Sequence, residues 1–344
     1  MRTKLIVNPV SGTDEGLKVL PAINARLREA GPVDVVLTIG PGDATEAARR
    51  AVEEGYDRVV SAGGDGTLNE TLNGIASVAG GLEAVAIGVI PVGTGNDFAT
   101  AIGIPQDAEA AAAMLIDASP RPVDVWLAND RCFLNVSGGG FIAEVSDAVD
   151  TRLKTVAGKL AYLIGGMQVM WSYDALRARI TFPRGAMCVP DLGASAGADP
   201  AAIEVERVED FDAEDLYAFA ACNAPLIGGG HVIGPLARVD DGQLDLCLIR
   251  ASSLAEFLAV LRQVPGGDHV QDARVSYVRA PAIELSFDRR IKINTDGQVL
   301  ESDRATYSLA GRARILAPPA ASEAGMSELQ SRHSNSDAAR PKKE

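Results

Sequence analysis

Apolar runs of strand length alternate with segments of helical periodicity along the first third of the chain. The helical segment 16–30, for example, places Leu17, Leu20, Ile23 and Leu27 on one face. Such alternation predicts a mostly parallel sheet flanked by helices, because parallel strands need a helical crossover. The predicted strands are 4–7, 33–38, 58–62 and 85–92, and the predicted helices are 16–30, 44–54, one that ends at 79 and one that begins after 97.

Beyond about residue 122 the alternation stops and short strand-like segments follow one another. Residues 122–140 have the pattern of a hairpin, and helical periodicity returns near 144–172 and 253–263. The pattern predicts an antiparallel β domain over 123–303, after an α/β domain over 1–122. Residues 190–200 are small and predict a loop, whereas 318–344 are polar and predict a disordered tail. The strand-like segments are 177–182, 202–208, 215–222, 244–249, 274–278 and 282–287.

The composition argues against several classes of function. The chain has 344 residues and a net charge of −14, with 46 acidic and 32 basic residues. Nucleic-acid binding needs a basic surface, and so does simple electrostatic adhesion to anionic lipid. The four cysteines are far apart, so neither a disulfide framework nor a zinc site is predicted. The N-terminus lacks a signal-peptide pattern and the uncharged run 160–173 is too short to span a bilayer, so we predict a cytoplasmic protein without a transmembrane segment.

A glycine-rich turn that contains an acidic residue follows the third predicted strand. It consists of Gly63, Gly64, Asp65 and Gly66, and helical periodicity begins directly after it. Glycines at a strand–helix junction let backbone N–H groups approach a phosphate, which the helix N-terminus also attracts. A carboxylate there would repel phosphate unless it holds a metal or the attacking hydroxyl, so the turn indicates phosphoryl transfer. For this turn taken alone, the alternative that Asp65 only caps the helix stays open.

Two further loops of similar character leave neighbouring predicted strands. Residues 91–99, "PVGTGNDFA", form a strand end, a glycine turn with Asp97 and a helix start. Residues 8–12, "NPVSG", follow the first strand. In a parallel sheet all three loops lie at the carboxyl edge, where ligands bind. Their convergence predicts a phosphate-binding site at that edge.

These loops and three later segments resemble the lipid kinases of the diacylglycerol kinase catalytic-domain type, especially the bacterial members. That family is related in fold to NAD kinases and 6-phosphofructokinases. The "GGDGT" element is shared with NAD kinases, whereas the four segments that follow it in the chain are specific to the lipid kinase branch. In chain order the segments are "NPVSG", "GGDGTLNETLNG", "PVGTGNDFA", "GKLAY" (158–162), "GGGHVIGPLARVDDGQLDL" (228–246) and "INTDGQVL" (293–300).

The resemblance implies an α/β N-terminal nucleotide-binding domain with a mostly parallel sheet and a C-terminal antiparallel β-sandwich for the substrate. It also implies that the chain returns to the first domain at 304–317 and that ATP lies across the cleft. The sequence lacks the lysine-containing G-x-x-x-x-G-K-[ST] motif, so Mg²⁺ and helix termini must neutralise the phosphates. The residues implied to bind the nucleotide are Asn8, Pro9, Val10, Ser11, Gly12, Thr38, Gly64, Asp65, Gly66, Thr67, Leu68, Asn69, Glu70 and Thr94.

An acidic turn at 239–245, "VDDGQLD", is the second candidate for a bound ion. The resemblance implies a structural Mg²⁺ held by the side chain of Asp241 and the backbone carbonyl groups of Arg238 and Gln243. Oxygen ligands suit such a hard cation. The alternative is an Asp-Gly hairpin without an ion. The nearby "SGGGFIAE" (137–144) lacks the acidic partner of a dinucleotide site, so we interpret its glycines as close packing.

The clearest departure from the family is "TDGQ", residues 295–298. The family has Asp-Gly-Glu there, and the glutamate is its proposed general base. Gln298 cannot take a proton from a hydroxyl group, because an amide oxygen is too weak a base. Three outcomes stay open at this point: Asp296 is the base, Asp65 is the base, or the protein is a weak or inactive kinase.

We therefore predict an ATP- and Mg²⁺-dependent lipid kinase, with diacylglycerol as the first candidate substrate. The alternatives are a kinase of another alcohol and a nucleotide-binding regulatory protein with lost catalysis. Lys159 precedes an apolar helical segment that either packs in a core or forms an acyl-chain wall at a membrane surface. The expected partner is a lipid at the membrane surface, with peripheral contact at the inner membrane face and a homodimer left open.

Overall fold

A computed structural model describes residues 1–12, 15–141, 143–144, 174–188 and 206–318. The predictions for Lys159, for the helical segment that contains it, for the loop 190–200 and for the tail after 318 lie outside the described residues. Within the described ranges, no helix is long and apolar enough to cross a membrane.

The N-terminal half is built on four parallel strands: β1 (Thr3–Val7), β2 (Val33–Leu37), β3 (Arg58–Gly63) and β4 (Ala86–Pro91). Their order across the sheet is β4-β3-β1-β2, so the first strand lies between the second and the third. Leu5 pairs with Val35 on one side and with Val60 on the other. Strands β3 and β4 are buried along their whole length, because helices cover both faces.

Six helices accompany these strands: α1 (Glu15–Arg28), α2 (Asp43–Glu53), α3 (Asp65–Ala76), α4 (Gly81–Ala84), α5 (Asp97–Ala101) and α6 (Ala108–Asp117). Helix α2 shows why the pattern was predictive, since Ala44, Ala47, Ala48 and Ala51 form its buried stripe. The predicted helix up to 79 ends at Ala76, and a separate turn, α4, follows.

The C-terminal half consists of antiparallel strands, as predicted. The first of them are β5 (Pro120–Ala128), β6 (Arg131–Phe133), β7 (Val136–Gly140), β8 (Leu176–Thr181), β9 (Ala186–Cys188) and β10 (Glu206–Val208). They are followed by β11 (Phe211–Cys222), β12 (Leu226–Ile227), β13 (His231–Val232), β14 (Leu244–Arg250), helix α7 (Leu254–Leu261), two short 3₁₀ turns (Val264–Gly266 and Asp268–Gln271), β15 (Val275–Ala280), β16 (Ala282–Thr295) and β17 (Gln298–Leu316).

The last two strands are longer than the sequence pattern indicated. The strand predicted at 282–287 continues to Thr295, because a bulge between Ser286 and Ile291 absorbs the polar segment that interrupts the alternation. Strand β17 pairs antiparallel with β16 and β5 and parallel with β4, where Arg314 lies beside Ala86. One strand therefore joins the sheets of both halves.

The core of the C-terminal half is closely packed. In the C-terminal half, Phe133 and Tyr307 are fully buried and meet edge to face at 6.1 Å. The glycines of "SGGG" lie in β7 between β11 and β16, and an added Cβ on Gly139 would lie 2.5 Å from the ring of Phe219. These glycines serve close packing inside the β domain.

Candidate active site

The glycine turn after β3 makes direct contact with the turn after β4. Gly64 precedes α3, and a Cβ added to it would lie 3.3 Å from the Cα of Gly93. A Cβ on Gly63 would lie 2.5 Å from the side chain of Thr67. By contrast, nothing lies within 4 Å of an added Cβ on Gly66, which is exposed. Two backbone turns thus form one wall with open space beside Gly66, as a bound phosphate requires.

The loop after β1 is tied to the same helix by Asn8. Its Nδ2 donates to Thr67 Oγ1 at 3.2 Å, and its Oδ1 accepts the N–H of Val10 at 3.2 Å. Val10 is 71% exposed, so the loop projects an apolar side chain beside the glycine turn. All three predicted loops therefore lie at the carboxyl edge of β1, β3 and β4.

The other residues implied to bind nucleotide differ in the exposure and the contacts of their side chains. Leu68 is buried in the N-terminal core, so only its backbone faces the turn. Thr38 is also buried, whereas Thr94 is exposed on the neighbouring loop. Glu70 accepts the N–H of Gly42 at 3.1 Å and so fixes the loop before α2.

Asp65 does not cap its own helix. Its Oδ2 accepts the N–H of Asp97 at 3.1 Å, and its Oδ1 accepts that of Phe98 at 3.2 Å. The same Oδ1 accepts Nδ2 of Asn135 at 3.3 Å, from the other half of the chain. The helix-cap alternative is therefore wrong for α3, whose N-cap is Gly64 without a side-chain cap bond. The carboxylate instead binds the adjoining loop and the β domain.

Asp296 reaches the same place from the hairpin between β16 and β17. It and Gly297 have φ of 47° and 88° and form the two-residue turn between the paired Thr295 and Gln298. Its carboxylate accepts backbone N–H groups of Leu134 at 2.8 Å, Asn135 at 3.1 Å and Val136 at 3.1 Å. The aspartate of "TDGQ" is thereby fixed against the start of β7.

Asn135 connects the two carboxylates, and Asn69 contacts Asp296; the role of Asn135 was not predicted from the sequence. Asn135 binds Asp296 through its backbone and Asp65 through its side chain. Asn69 Nδ2 donates to the Cys132 carbonyl oxygen at 2.9 Å and approaches Asp296 Oδ2 at 3.4 Å. Asn135 is 7% exposed within an apolar run, and a polar residue inside such a run was the available signal.

The site is electrostatically distinctive because its carboxylates are bound by amides. Burial raises the pKa of Asp296 to about 6, the charge of Asp65 adds to that shift, and the three backbone N–H donors oppose it. Burial likewise raises the pKa of Asp97. A carboxyl group that titrates near pH 6 can accept a proton at neutral pH and is well matched to general-base chemistry.

No described hydrogen bond joins the acidic turn at 239–245 to these carboxylates. Asp241 Oδ1 accepts the N–H of Gln243 at 3.0 Å, and burial raises the pKa of Asp241. The charges of Asp124 and Asp245 raise that pKa further, while Arg279 lowers it. The buried Oε1 of Gln243 has no hydrogen-bond partner among the described residues.

Two family models together match nearly all of the chain up to β17. The diacylglycerol kinase catalytic domain matches residues 2–128, and the YegS C-terminal NAD kinase beta sandwich-like domain matches residues 135–316. The first match ends with β5, and the second begins at Asn135, directly before β7. Asp65 lies in the first match and Asp296 in the second, and both bind Asn135.

Curated proteins resemble the chain over most of its length. The Bacillus subtilis (strain 168) diacylglycerol kinase is 32% identical over 299 residues, which are 86% of this chain and 89% of that protein. The Staphylococcus carnosus (strain TM300) diacylglycerol kinase is 32% identical over 298 residues, 86% of this chain and 88% of that protein. A crystal structure from Bacillus anthracis str. Sterne shares the fold, with a TM-score of 0.71, 24% identity and coverage of 93% and 96% of the two chains.

Proposed function

Because the chain belongs to the diacylglycerol kinase catalytic-domain family, we propose that it transfers the γ-phosphoryl group of ATP to a lipid hydroxyl group, with diacylglycerol as the substrate. The observation that carries this proposal is the meeting of Asp65 and Asp296 at Asn135. These carboxylates come from different halves of the chain, beside the open space at Gly66. A kinase needs such a place, where an anionic donor and a hydroxyl acceptor meet.

The nucleotide binds on the N-terminal side of the proposed cleft. The open side of Gly66 and the backbone contact between Gly64 and Gly93 support phosphates at these turns. Asn8 holds the 8–12 loop and Thr67 together and places that loop along the nucleotide. Backbone amides and small hydroxyl groups then provide hydrogen bonds to the phosphate oxygens without a lysine.

The proposed general base is Asp296. Its pKa of about 6 leaves it ionised at neutral pH and able to take the proton of a lipid hydroxyl group. Asp65 is the competing candidate, and its bonds to Asp97, Phe98 and Asn135 give it a positioning role as well. Gln298 begins β17 beside the turn and can orient a substrate oxygen as a hydrogen-bond donor.

The residues at the acidic turn fit the implied magnesium ion. Asp241 is partly buried with a raised pKa between two other acidic groups, and the oxygen of the Gln243 side chain lacks a partner in the described structure. The Asp241 side chain and the carbonyl groups of Arg238 and Gln243 would hold Mg²⁺, which there would stabilise the fold. Among the described residues, no three His, Cys, Asp or Glu side chains cluster as a metal site, so carbonyl oxygens must complete the set.

The test of this function is incorporation of label from γ-labelled ATP into an organic-extractable product. Dioleoylglycerol in mixed micelles with Mg²⁺ should accept the label. Gly66→Val should abolish incorporation and ATP binding by calorimetry, because its side chain enters the open phosphate space. Ala110→Val is the control, since it introduces a valine at an exposed position of α6. It should retain both label incorporation and ATP binding. Absence of lipid-dependent incorporation by the wild-type chain across diacylglycerols and other long-chain alcohols would overturn the proposal.

A second candidate is a nucleotide-binding regulatory protein with little turnover, and Gln298 is the observation that favours it. The family glutamate is replaced there by an amide that cannot take a proton. Restoring the carboxylate with Gln298→Glu separates the two functions. A large gain from a wild-type rate of zero would support the regulatory protein, whereas a wild-type rate within about tenfold of the variant supports the kinase.

A further inference from the structure

Three consecutive left-handed glycines link β12 to β13. Gly228, Gly229 and Gly230 have φ of 64°, 88° and 100°, and Ile227 pairs with His231 across the turn. Other L-residues rarely adopt this conformation, so the "GGG" of the sequence is required by the backbone. Successive amides in such a turn point to one side and form a concave anion-binding surface.

A carboxylate from the other half of the chain occupies this surface. Asp97 Oδ1 and Oδ2 each accept the N–H of Gly229 at 3.0 Å, and Oδ1 also accepts that of Gly230 at 2.8 Å. Asp97 is 6% exposed, so the contact is shielded from water. Its own N–H donates to Asp65 Oδ2 at 3.1 Å. The glycine turn is therefore bound to Asp97, and Asp97 to Asp65.

The contact borders the proposed phosphate site. A Cβ placed on Gly95 would lie 3.2 Å from Asp65 Oδ2 and 3.9 Å from the backbone nitrogen of Gly229. Gly95 itself is exposed. Thus the turn after β3, the turn after β4 and the 228–230 turn form one continuous wall, to which both halves contribute.

The contact has an electrostatic cost. Burial raises the pKa of Asp97, Asp65 raises it further, and the Gly229 and Gly230 amides and the charge of His231 oppose the rise. A carboxyl group with a raised folded pKa contributes most stability when protonated, and that contribution is lost as pH rises through the folded pKa.

We propose that Asp97 is a positioning residue that holds the 228–230 turn of the β domain against the phosphate-binding turns. The contact fixes the spacing between the half of the molecule that presents the lipid and the half that presents the γ-phosphoryl group. This proposal rests on the proposed kinase function. It predicts that loss of the contact impairs transfer, while nucleotide binding on the N-terminal turns remains.

Asp97→Asn tests this role because the amide retains the shape but replaces one acceptor oxygen with an NH₂ donor, which would face the N–H of Gly229. We expect kcat with dioleoylglycerol to fall about 100-fold, as small misplacements of reacting groups do. The Kd for ATP should stay within about twofold, because the phosphate-binding turns of the N-terminal half keep their own contacts. Asp107→Asn is the matched control: Asp107 also accepts a backbone N–H, from Ala110 at 2.8 Å, but at the start of α6. It should retain wild-type turnover.

A glycine pair tests the turn independently. Gly229→Ala and Gly103→Ala place a methyl group at φ of 88° and 77°, each with no atom within 4 Å, so both should lower Tm by similar amounts. Only Gly229→Ala should also lower kcat. Equal kcat for the two variants, or wild-type kcat for Asp97→Asn, would overturn the proposal.

Hydrogen exchange separates this proposal from the kinase function itself. The amides of Gly229 and Gly230 should exchange faster in Asp97→Asn than in the wild type, whether or not any lipid is phosphorylated. If wild-type transfer is absent but exchange accelerates, the kinase assignment fails and the contact stands as structural, which overturns its positioning role. Unchanged exchange would show that Asp97 does not hold the turn.

Discussion

At the junction of the two halves, Asp65, Asp97 and Asp296 are bound by backbone and asparagine N–H groups, whereas deeper in the β domain buried carboxylates pair with arginines. Asp124 is fully buried and accepts Arg312 Nε at 2.8 Å. Asp245 is 1% exposed and accepts Arg279 Nε at 2.7 Å and the Tyr277 hydroxyl at 2.9 Å. Among the described residues, no ion pair involves a junction carboxylate.

The two arrangements leave different net charges. An arginine partner neutralises the carboxylate. The ion pairs at Asp124 and Asp245 therefore carry no net charge. Amide donors orient a carboxylate without supplying a positive charge, so the junction carboxylates have no charged partner among the described residues. In the proposed kinase, which has no phosphate-binding lysine, this second arrangement would leave negative charge for a cation that arrives with the nucleotide.

The largest expected effect is on catalysis at the junction. Asp65→Asn should lower kcat by about 10²–10⁴-fold, because the variant loses the charge that orients the Asp97 and Asn135 contacts. The fold should survive, with thermal unfolding close to that of the wild type. A variant with near wild-type kcat would show that the junction carboxylates do not differ functionally from the arginine-bound ones.

The matching experiment on the arginine-paired carboxylates, Asp124 and Asp245, should lower stability without changing kcat. Arg279→Ala removes the partner of Asp245, whose side chain is 2% exposed, and should lower the free energy of unfolding by about 3–5 kcal/mol. Urea titration measures the loss, and kcat per folded molecule should be unchanged. Loss of kcat beyond the unfolded fraction would contradict the division between the two sets.

A pH profile sharpens the role of Asp296. As a base it acts when ionised, so kcat/KM should fall tenfold per pH unit below about pH 6, the value to which burial raises its pKa. The effect of Asp296 on stability has the opposite pH dependence. Its protonation favours the folded state, and this stabilising contribution is lost as pH rises through about 6. Asp296→Asn should remove this step from the profile. If the step persists in the variant, Asp296 is not the base.

The smallest effect concerns the acidic turn. Without nucleotide, millimolar Mg²⁺ should raise the Tm of the wild type by a few degrees, since an ion that binds only the folded state stabilises it. Asp241→Ala should abolish that rise. The wild-type rise should weaken on acidification, because protons compete at a carboxyl group whose pKa is raised. An equal rise in both proteins would place the ion elsewhere.

Much of the fold, and the two carboxylates Asp65 and Asp296 of the site, could be predicted from the sequence. The apolar runs gave β1 to β4 closely, and the glycine turn located Asp65, because those signals lie within a few consecutive residues. Asp296 was identified through the resemblance of "INTDGQVL" to the lipid kinase family. The contacts between distant segments could not be predicted. Asn135 joins Asp65 and Asp296, and the glycine turn at 228–230 binds Asp97, but neither contact leaves a periodic pattern.

The length of β16 was missed for a related reason. Its polar segment between Ser286 and Ile291 breaks the alternation, so it has the pattern of a loop. A bulge keeps the chain extended there, and the bulge depends on pairing with β17. Pairing with β17 thus extends β16 to Thr295, whereas the local sequence pattern predicted that the strand ends at 287.

Strand β17 also constrains the order in which the protein can assemble. The β4 edge of the N-terminal sheet pairs with Arg314 and Ile315, among the last described residues. During synthesis the first four strands emerge long before their neighbour, so the N-terminal half carries an unpaired sheet edge while the whole β domain is being made. That edge is a template for pairing with other nascent chains. Because β17 completes the N-terminal sheet, folding of the N-terminal half depends on folding of the C-terminal half. Fragments that stop before residue 314 should therefore aggregate on expression.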